Sequence, residues 1–158
     1  INSDAIITNE KGILLNVSIA DCQAILIFDK VSMSIAAIHS GWKGTKLNIV
    51  AKTIKSMIDK YNVIPNNLLV YLSPSASVQN YEVGEEFTEY FANSVIKRDG
   101  KFYFDNRKEI ISQLLSIGVK KENIESNDKC TIINDRLHSY RRDRNLSGRM
   151  SAFIGMSK

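Results

Sequence analysis

SMSIAAIHSGWKGTKLNIVAKTIKSMIDKY, residues 32–61, carries two structural periods with a glycine-bounded turn between them. Ser32 to Ile38 is short and apolar, of strand length. Beyond the turn Gly41-Trp42-Lys43-Gly44 the period changes. Leu47, Val50, Ile54, Met57, Ile58 and Tyr61 recur at helical spacing, while Lys46, Lys52, Lys55 and Asp59 fall off that stripe. Thr45 stands where an N-cap belongs, so the spacing predicts a helix over 45–61. A strand feeding an amphipathic helix needs a second layer on which the helix can bury its stripe, which points to α packed with β.

The same reading extends in both directions. Ala5 to Thr8 and Ile13 to Ile19 read as strands around the turn-like Asn9-Glu10-Lys11-Gly12. Ala24 to Phe28 is a continuous apolar run, the mark of a buried strand, and Asp29-Lys30 turns it toward Ser32. Leu68 to Leu72 is another strand. Val83, Phe87, Tyr90, Phe91 and Val95 predict a second helix over 83–96, with Glu82, Glu85 and Glu86 at its positive end. Ile110, Ile111, Leu114, Leu115 and Ile117 predict a third over 106–117, stopped by Gly118. Thr131 to Ile133 and Ser151 to Ile154 read as the last strands. No repeat, low-complexity tract or linker divides the chain, so residues 1–158 read as a single α/β (α+β) domain.

Composition narrows the function classes. Of the 158 residues, 44% are apolar, with six Phe, six Tyr and one Trp, enough for a sizeable core and too many for disorder. No apolar run approaches the roughly 20 residues of a membrane-spanning helix. The formal net charge is +4 and the pI near 9.0, which suits either nucleic acid or a phosphate-bearing substrate. The cluster Arg136, Arg141, Arg142, Arg144 and Arg149 lacks interleaved aromatics of the RNA-binding kind, which favours a small anion. Two cysteines, Cys22 and Cys130, make no disulfide scaffold, and a cytoplasmic setting is expected. The chain opens on Ile1 rather than Met, so an upstream segment is expected as well.

Three segments carry chemistry. Cys22 opens one predicted strand and His39 ends the next; a hairpin would face them toward each other. A thiolate beside an imidazole suits zinc, and equally a cysteine nucleophile with a histidine base. An inert buried thiol near a capping histidine has the same pattern. In Gly41-Trp42-Lys43-Gly44, the glycines let the backbone approach a ligand just before a helix N-terminus, and Lys43 adds a full charge, as a phosphate site requires. A tight turn with Trp42 in the core is the plainer alternative. In Ser139-Tyr140-Arg141-Arg142-Asp143 one arginine can face a pocket while the other pairs with Asp143, or both can serve surface ion pairs.

Taken together these segments resemble a known family. Asp4 to Gly12, Ala20-Asp21-Cys22, His39 to Gly44, Leu72 to Ser75 with Tyr81-Glu82-Val83-Gly84, and Ser139 to Asp143 match, in order, the motifs of the laccase-domain purine nucleoside phosphorylases, formerly labelled multicopper polyphenol oxidases. The resemblance covers nearly the whole chain. It implies a layered sandwich, with mixed β-sheets in the core and helices packed outside. It implies zinc-dependent phosphorolysis of adenosine, inosine, guanosine and methylthioadenosine, and adenosine deamination at the same metal. Purine nucleoside and phosphate are then the partners, with no nucleic acid and no membrane. By motif, Cys22 and His39 carry over as catalytic residues and zinc ligands, and Lys43 and Arg141 as substrate and phosphate contacts. The remaining ligand, a histidine, belongs to a segment before Asp4 and is expected upstream of Ile1. His138 sits where the family has an aromatic residue and is not promoted to ligand. Lys43 replaces a commoner arginine, keeping the charge without the bidentate fork. Gln79 and Asn80 occupy positions where many relatives have cysteines. Copper chemistry is rejected by count: a multicopper site needs about ten histidines, and the chain has 2. Two rivals stand beside the zinc enzyme: a metal-free cysteine hydrolase using a Cys22–His39 dyad, and a non-catalytic basic module that binds nucleic acid.

Overall fold

In the computed structural model, which describes residues 3–158, the apolar run 24–28 lies in the middle strand of a five-stranded sheet. Strands β1 (Ala5–Thr8), β3 (Gln23–Asp29), β4 (Ser34–Ser40), β5 (Leu68–Leu72) and β9 (Ile124–Ser126) lie in the order β1-β4-β3-β5-β9. All neighbours are antiparallel except the short edge pair β5–β9.

Alternation along these strands sorts apolar side chains into two cores. Ile25, Ile27, Ala36 and Ile38 meet Val50, Ile54 and Met57 of helix α2 (Ile49–Tyr61), and Ile110 and Leu114 of helix α4 (Asn106–Ser116). Ala24, Ile35 and Ala37 face the other way, onto Leu15, Val17 and Ile19 of β2 (Leu14–Ile19). This strand forms a two-stranded ribbon with β10 (Met150–Gly155). Each large side chain buried this way contributes about 1.5–3 kcal/mol. The layers run helices, sheet, ribbon, as the expected sandwich requires.

A third sheet, β6 (Glu82–Val83), β8 (Lys101–Phe104) and β7 (Val95–Arg98) in that order, stands at one end. Its small core is aromatic. Phe87 and Phe91 of the region of helix α3 (Phe87–Tyr90) pack on Phe104, with Phe91 and Phe104 stacked at 4.3 Å between ring centroids. Trp42 and Tyr81 close over this cluster.

Several elements differ from the sequence reading. The helix over 45–61 is two helices, α1 (Trp42–Lys46) and α2, parted by Asn48 in a left-handed conformation (φ 54°). Thr45 is no N-cap. It is fully buried within α1, where its hydroxyl meets Ser40 Oγ at 2.9 Å and donates to Asn106 Oδ1 at 2.7 Å. Leu47 leaves the stripe and is 62% exposed. The helix over 83–96 shrinks to the single turn α3, because Glu82–Val83 pairs with Phe102 and Tyr103 and Val95–Arg98 folds back on β8. Asp99-Gly100, both at positive φ, makes the hairpin turn. Its aromatic spacing reflects packing on Phe104 rather than one long helix. Thr131 to Ile133 is a turn, not a strand. The helix over 106–117 is α4, capped by the Asp105 carboxylate, which accepts from Lys108 N at 2.9 Å. Among the described residues no helix is long and apolar enough to cross a membrane.

Candidate functional site

The pairing of β3 with β4 builds the site. Gln23 stands opposite Ser40, and Ala24 opposite His39. Continued by one residue, this register sets Cys22 against Gly41 and puts Cys22 and His39 on one face of the sheet, toward the ribbon. Gly41 is required here: a Cβ added at this position would lie 2.8 Å from Cys22 Sγ. On the opposite flank of β4, strand β1 brings in Asp4. His39 N donates to Asp4 O at 2.7 Å, and Asp4 Oδ1 lies 3.0 Å from His39 Nδ1. With the carboxylate accepting from Nδ1–H, the lone pair of His39 is left on Nε2.

Burial pushes the Cys22 thiol up to a pKa of about 11, with the charges of Asp21 and Asp4 adding to the effect and Arg149 opposing it. Tyr81 is also raised, by burial first and then by the charge of a Cys22 thiolate, against the nearby Arg141. Around Cys22, burial and the two carboxylates thus outweigh the opposing charge of Arg149.

Beside this corner is a cavity of about 190 Å³ lined by Cys22, Trp42, Tyr81, Asn106, Tyr140 and Arg141. It shares Trp42, Tyr81 and Arg141 with a wider one of about 450 Å³ that reaches Glu82 and Phe87. The Arg141 guanidinium lies 5.1 Å from the centroid of the Tyr81 ring. Arg141 belongs to the short helix α5 (Tyr140–Asp143) and makes no salt bridge among the described residues.

The other residues singled out from sequence lie elsewhere. Arg142 pairs with Asp143 at 2.7 Å and donates to the carbonyls of Thr131, Asn134 and Leu137, so it fixes a turn. Lys43 is exposed on α1, with Nζ 5.6 Å from the Trp42 ring, and lines neither cavity. His138 is exposed and packs on Gly148, where a Cβ would fall 2.5 Å from its ring; it too lines neither cavity. Cys130 is buried and accepts from Ser77 N at 3.4 Å and Asn80 Nδ2 at 3.6 Å. Trp42, Tyr81, Asn106 and Asp4 were not read as site residues. The Gly-Trp turn, the Tyr81-Glu82-Val83-Gly84 motif and the motif opening at Asp4 held three of them, and nothing signalled Asn106.

The chain matches, over residues 1–157, the family model described as multi-copper polyphenol oxidoreductase laccase. It belongs to that family. A purine nucleoside phosphorylase of Aquifex aeolicus is 38% identical over 91% of the chain and 66% of its own length. The purine nucleoside phosphorylase YfiH of Shigella flexneri is 32% identical over 96% of the chain and 63% of its own length. Among solved structures, the Bacillus licheniformis hypothetical protein YfiH superposes with a TM-score of 0.92 at 25% identity, covering 98% of this chain and 62% of that one. YlmD from Geobacillus stearothermophilus gives 0.90 at 27%, covering 98% and 61%. The chain therefore spans about two thirds or less of the length of these relatives.

Proposed function

We propose that this chain carries the reaction centre of a zinc-dependent purine nucleoside phosphorylase that also deaminates adenosine, with Cys22 and His39 as metal ligands and Arg141 as the phosphate contact. The observation that carries the reading is that a carboxylate-tethered imidazole stands opposite Ala24, two residues from a thiol that lines a cavity walled by an arginine and two aromatic rings.

A thiolate and an imidazole nitrogen are donor types that zinc takes, and Asp4 gives His39 the outer hydrogen bond that orients such ligands. The described residues hold no group of three His, Cys, Asp or Glu placed for a metal, so a further ligand would come from elsewhere, as the resemblance implies for the histidine upstream. When bound, zinc polarises the atom it touches and lowers the pKa of water. A thiol near 11 is a weak metal-free nucleophile at neutral pH, which favours the metal over the cysteine dyad.

In phosphorolysis a phosphate oxygen attacks C1′ of the ribose, the bond to the base nitrogen breaks, and its electron pair leaves with the purine. Arg141 holds the dianion by charge-assisted hydrogen bonds and keeps it beside the developing ribosyl cation. Trp42 and Tyr81 offer flat apolar faces for the base. Arg141 lines the cavity, with Arg144 beside it, whereas the exposed Lys43 does not.

The test is direct. The protein should contain stoichiometric zinc and release hypoxanthine from inosine only with phosphate present. Cys22→Ala and His39→Ala should each remove the metal and, with it, both phosphorolysis and adenosine deamination. Full activity in metal-stripped protein would instead establish the dyad, and salt-sensitive RNA or DNA binding without turnover would establish the basic module.

A further inference from the structure

Asp21 lies between β2 and β3, one residue before Cys22, at φ 80°. A non-glycine residue at positive φ is held there by its surroundings at a cost of about 1–3 kcal/mol, and such strain concentrates at functional sites. Here the surroundings are visible. Asp21 Oδ1 accepts from the Thr131 hydroxyl at 2.6 Å, and Oδ2 accepts from Arg141 N, also at 2.6 Å. Its backbone oxygen accepts from Ala76 N at 2.9 Å. Three chain segments remote in sequence, 76, 131 and 141, thus meet on one residue, and two of them wall the cavity beside Cys22.

The hydrogen bond to Arg141 is the informative one. Arg141 N is a free donor in the first turn of α5, whose N-cap Ser139 is occupied with Arg142 N at 3.2 Å. Asp21 takes the donor that the cap leaves over. That bond fixes the Arg141 backbone, and with it the direction in which the guanidinium leaves the chain, over Tyr81. No contact between the Asp21 carboxylate and the guanidinium is involved, so the side chain is steered without being neutralised.

We infer that Asp21 is a positioning residue: by clamping the Arg141 amide and the Thr131 hydroxyl to the Cys22 loop, it preorganises the Arg141 guanidinium for the phosphate of the reaction proposed above. It rests on that reading only for the identity of the anion. The clamp itself is a property of the loops.

Two readouts separate these levels. In the first, amide hydrogen exchange of residues 139–143 is compared in wild type, Asp21→Ala and Asp21→Asn. Exchange at Arg141 should accelerate in Asp21→Ala. It should stay near wild type in Asp21→Asn, whose carbonyl can accept from Arg141 N while its amide donates to Thr131 Oγ1. In the second, KM for inorganic phosphate should rise about tenfold or more in Asp21→Ala, the scale of a lost charge-assisted hydrogen bond, with kcat less affected and Asp21→Asn restoring most of it. In an Arg141→Ala background the Asp21→Ala change should add almost nothing to that KM, because both act through one guanidinium. Unchanged exchange at Arg141, or KM effects that multiply in the double variant, would overturn the proposal. If wild type shows no phosphorolysis, the functional reading falls while the exchange arm still decides the clamp. If Asp21→Ala does not fold, Thr131→Val removes only the hydroxyl on Oδ1. Faster exchange at Arg141 then supports the clamp, and wild-type exchange overturns it.

Discussion

Gln23 and Ser40 are register partners that face the helices, whereas His39, one residue earlier on β4, and Cys22, just before β3, alternate to the ribbon side. On the helix side the polar groups of Gln23, Ser40, Thr45 and Asn106 find internal partners. Gln23 Nε2 donates to Ser73 O at 2.5 Å, and Gln23 Oε1 accepts from Ser75 Oγ at 2.9 Å. Ser40 Oγ meets Thr45 Oγ1, which donates to Asn106 Oδ1, and Asn106 Nδ2 returns to Ser40 O at 3.0 Å. Gln23, Ser40 and Thr45 are all 0% exposed. On the ribbon side the hydrogen bonding stops halfway: Asp4 takes Nδ1 of His39, leaving Nε2, and burial with Asp21 and Asp4 outweighs Arg149 at the Cys22 thiol. A closed polar network fixes a fold, and an open one beside a cavity leaves atoms free for chemistry. Perturbing the first should change stability, and perturbing the second should change function.

Apart from removal of the ligands themselves, the largest functional effect should follow Gly41→Ala. A methyl 2.8 Å from Cys22 Sγ forces the thiol or the β4 end to move. A displacement of about 1 Å at a reacting centre is enough for roughly a hundredfold loss of rate. Phosphorolysis and zinc retention should fall together while the melting temperature changes little. A variant with wild-type kinetics would show that Cys22 tolerates displacement, which a metal ligand does not.

Thr45→Val breaks the comparison from the other side. It preserves shape but leaves Ser40 Oγ and Asn106 Oδ1 without their partner, at about 1–3 kcal/mol. Denaturant midpoints should drop accordingly, with turnover at low temperature near normal. A rate loss without a stability loss would place this network in the site instead of beneath it.

Legibility divides along the same line. Leu68–Leu72, Asn106–Ser116 and the run at 24–28 were readable because local spacing decides them. The segment 83–96 was not, since its aromatic repeat serves Phe104, and the break at Asn48 leaves no trace in the apolar stripe. Cys22, His39 and Arg141 announce themselves by residue type. Asp4 and Asp21 do not, because their partners lie 35 and 120 residues away and only the folded register joins them. The same limit applies to Thr45, which looked like a cap and is a buried strut.

The raised thiol gives a pH test on the open side. Burial and the carboxylates Asp21 and Asp4 keep the folded Cys22 protonated up to about pH 11, against 9.0 for the ordinary thiol. The folded state therefore holds a proton that the unfolded chain releases. Stability from this group is complete below about pH 9 and is lost as pH rises toward 11. In metal-stripped protein, wild type minus Cys22→Ser should show a loss on the order of 1–2 kcal/mol across that window. A flat difference would mean that the thiol is better solvated, or closer to a cation, than its position implies.

Lys43→Ala should have the smallest effect, and it sharpens the comparison most. Its sequence context, between two glycines before a helix, is that of a phosphate ligand. The folded chain instead leaves Lys43 exposed on α1, outside both cavities, with its ammonium beside the Trp42 ring. A solvated charge at that remove acts on a cavity anion only through screened Coulomb attraction, which fades over about 8–10 Å at physiological salt. Phosphorolysis should therefore fall by no more than about threefold, the scale of an exposed ionic interaction, and the deficit should vanish as salt is raised. Arg141→Ala should raise KM for phosphate far more and resist added salt, because its guanidinium is in the cavity wall. Deamination consumes water instead of phosphate, so Arg141→Ala should spare it relative to phosphorolysis. If Lys43→Ala proved as damaging to phosphate KM as Arg141→Ala, the α1 turn would have to close over the bound anion, bringing Lys43 in from solvent.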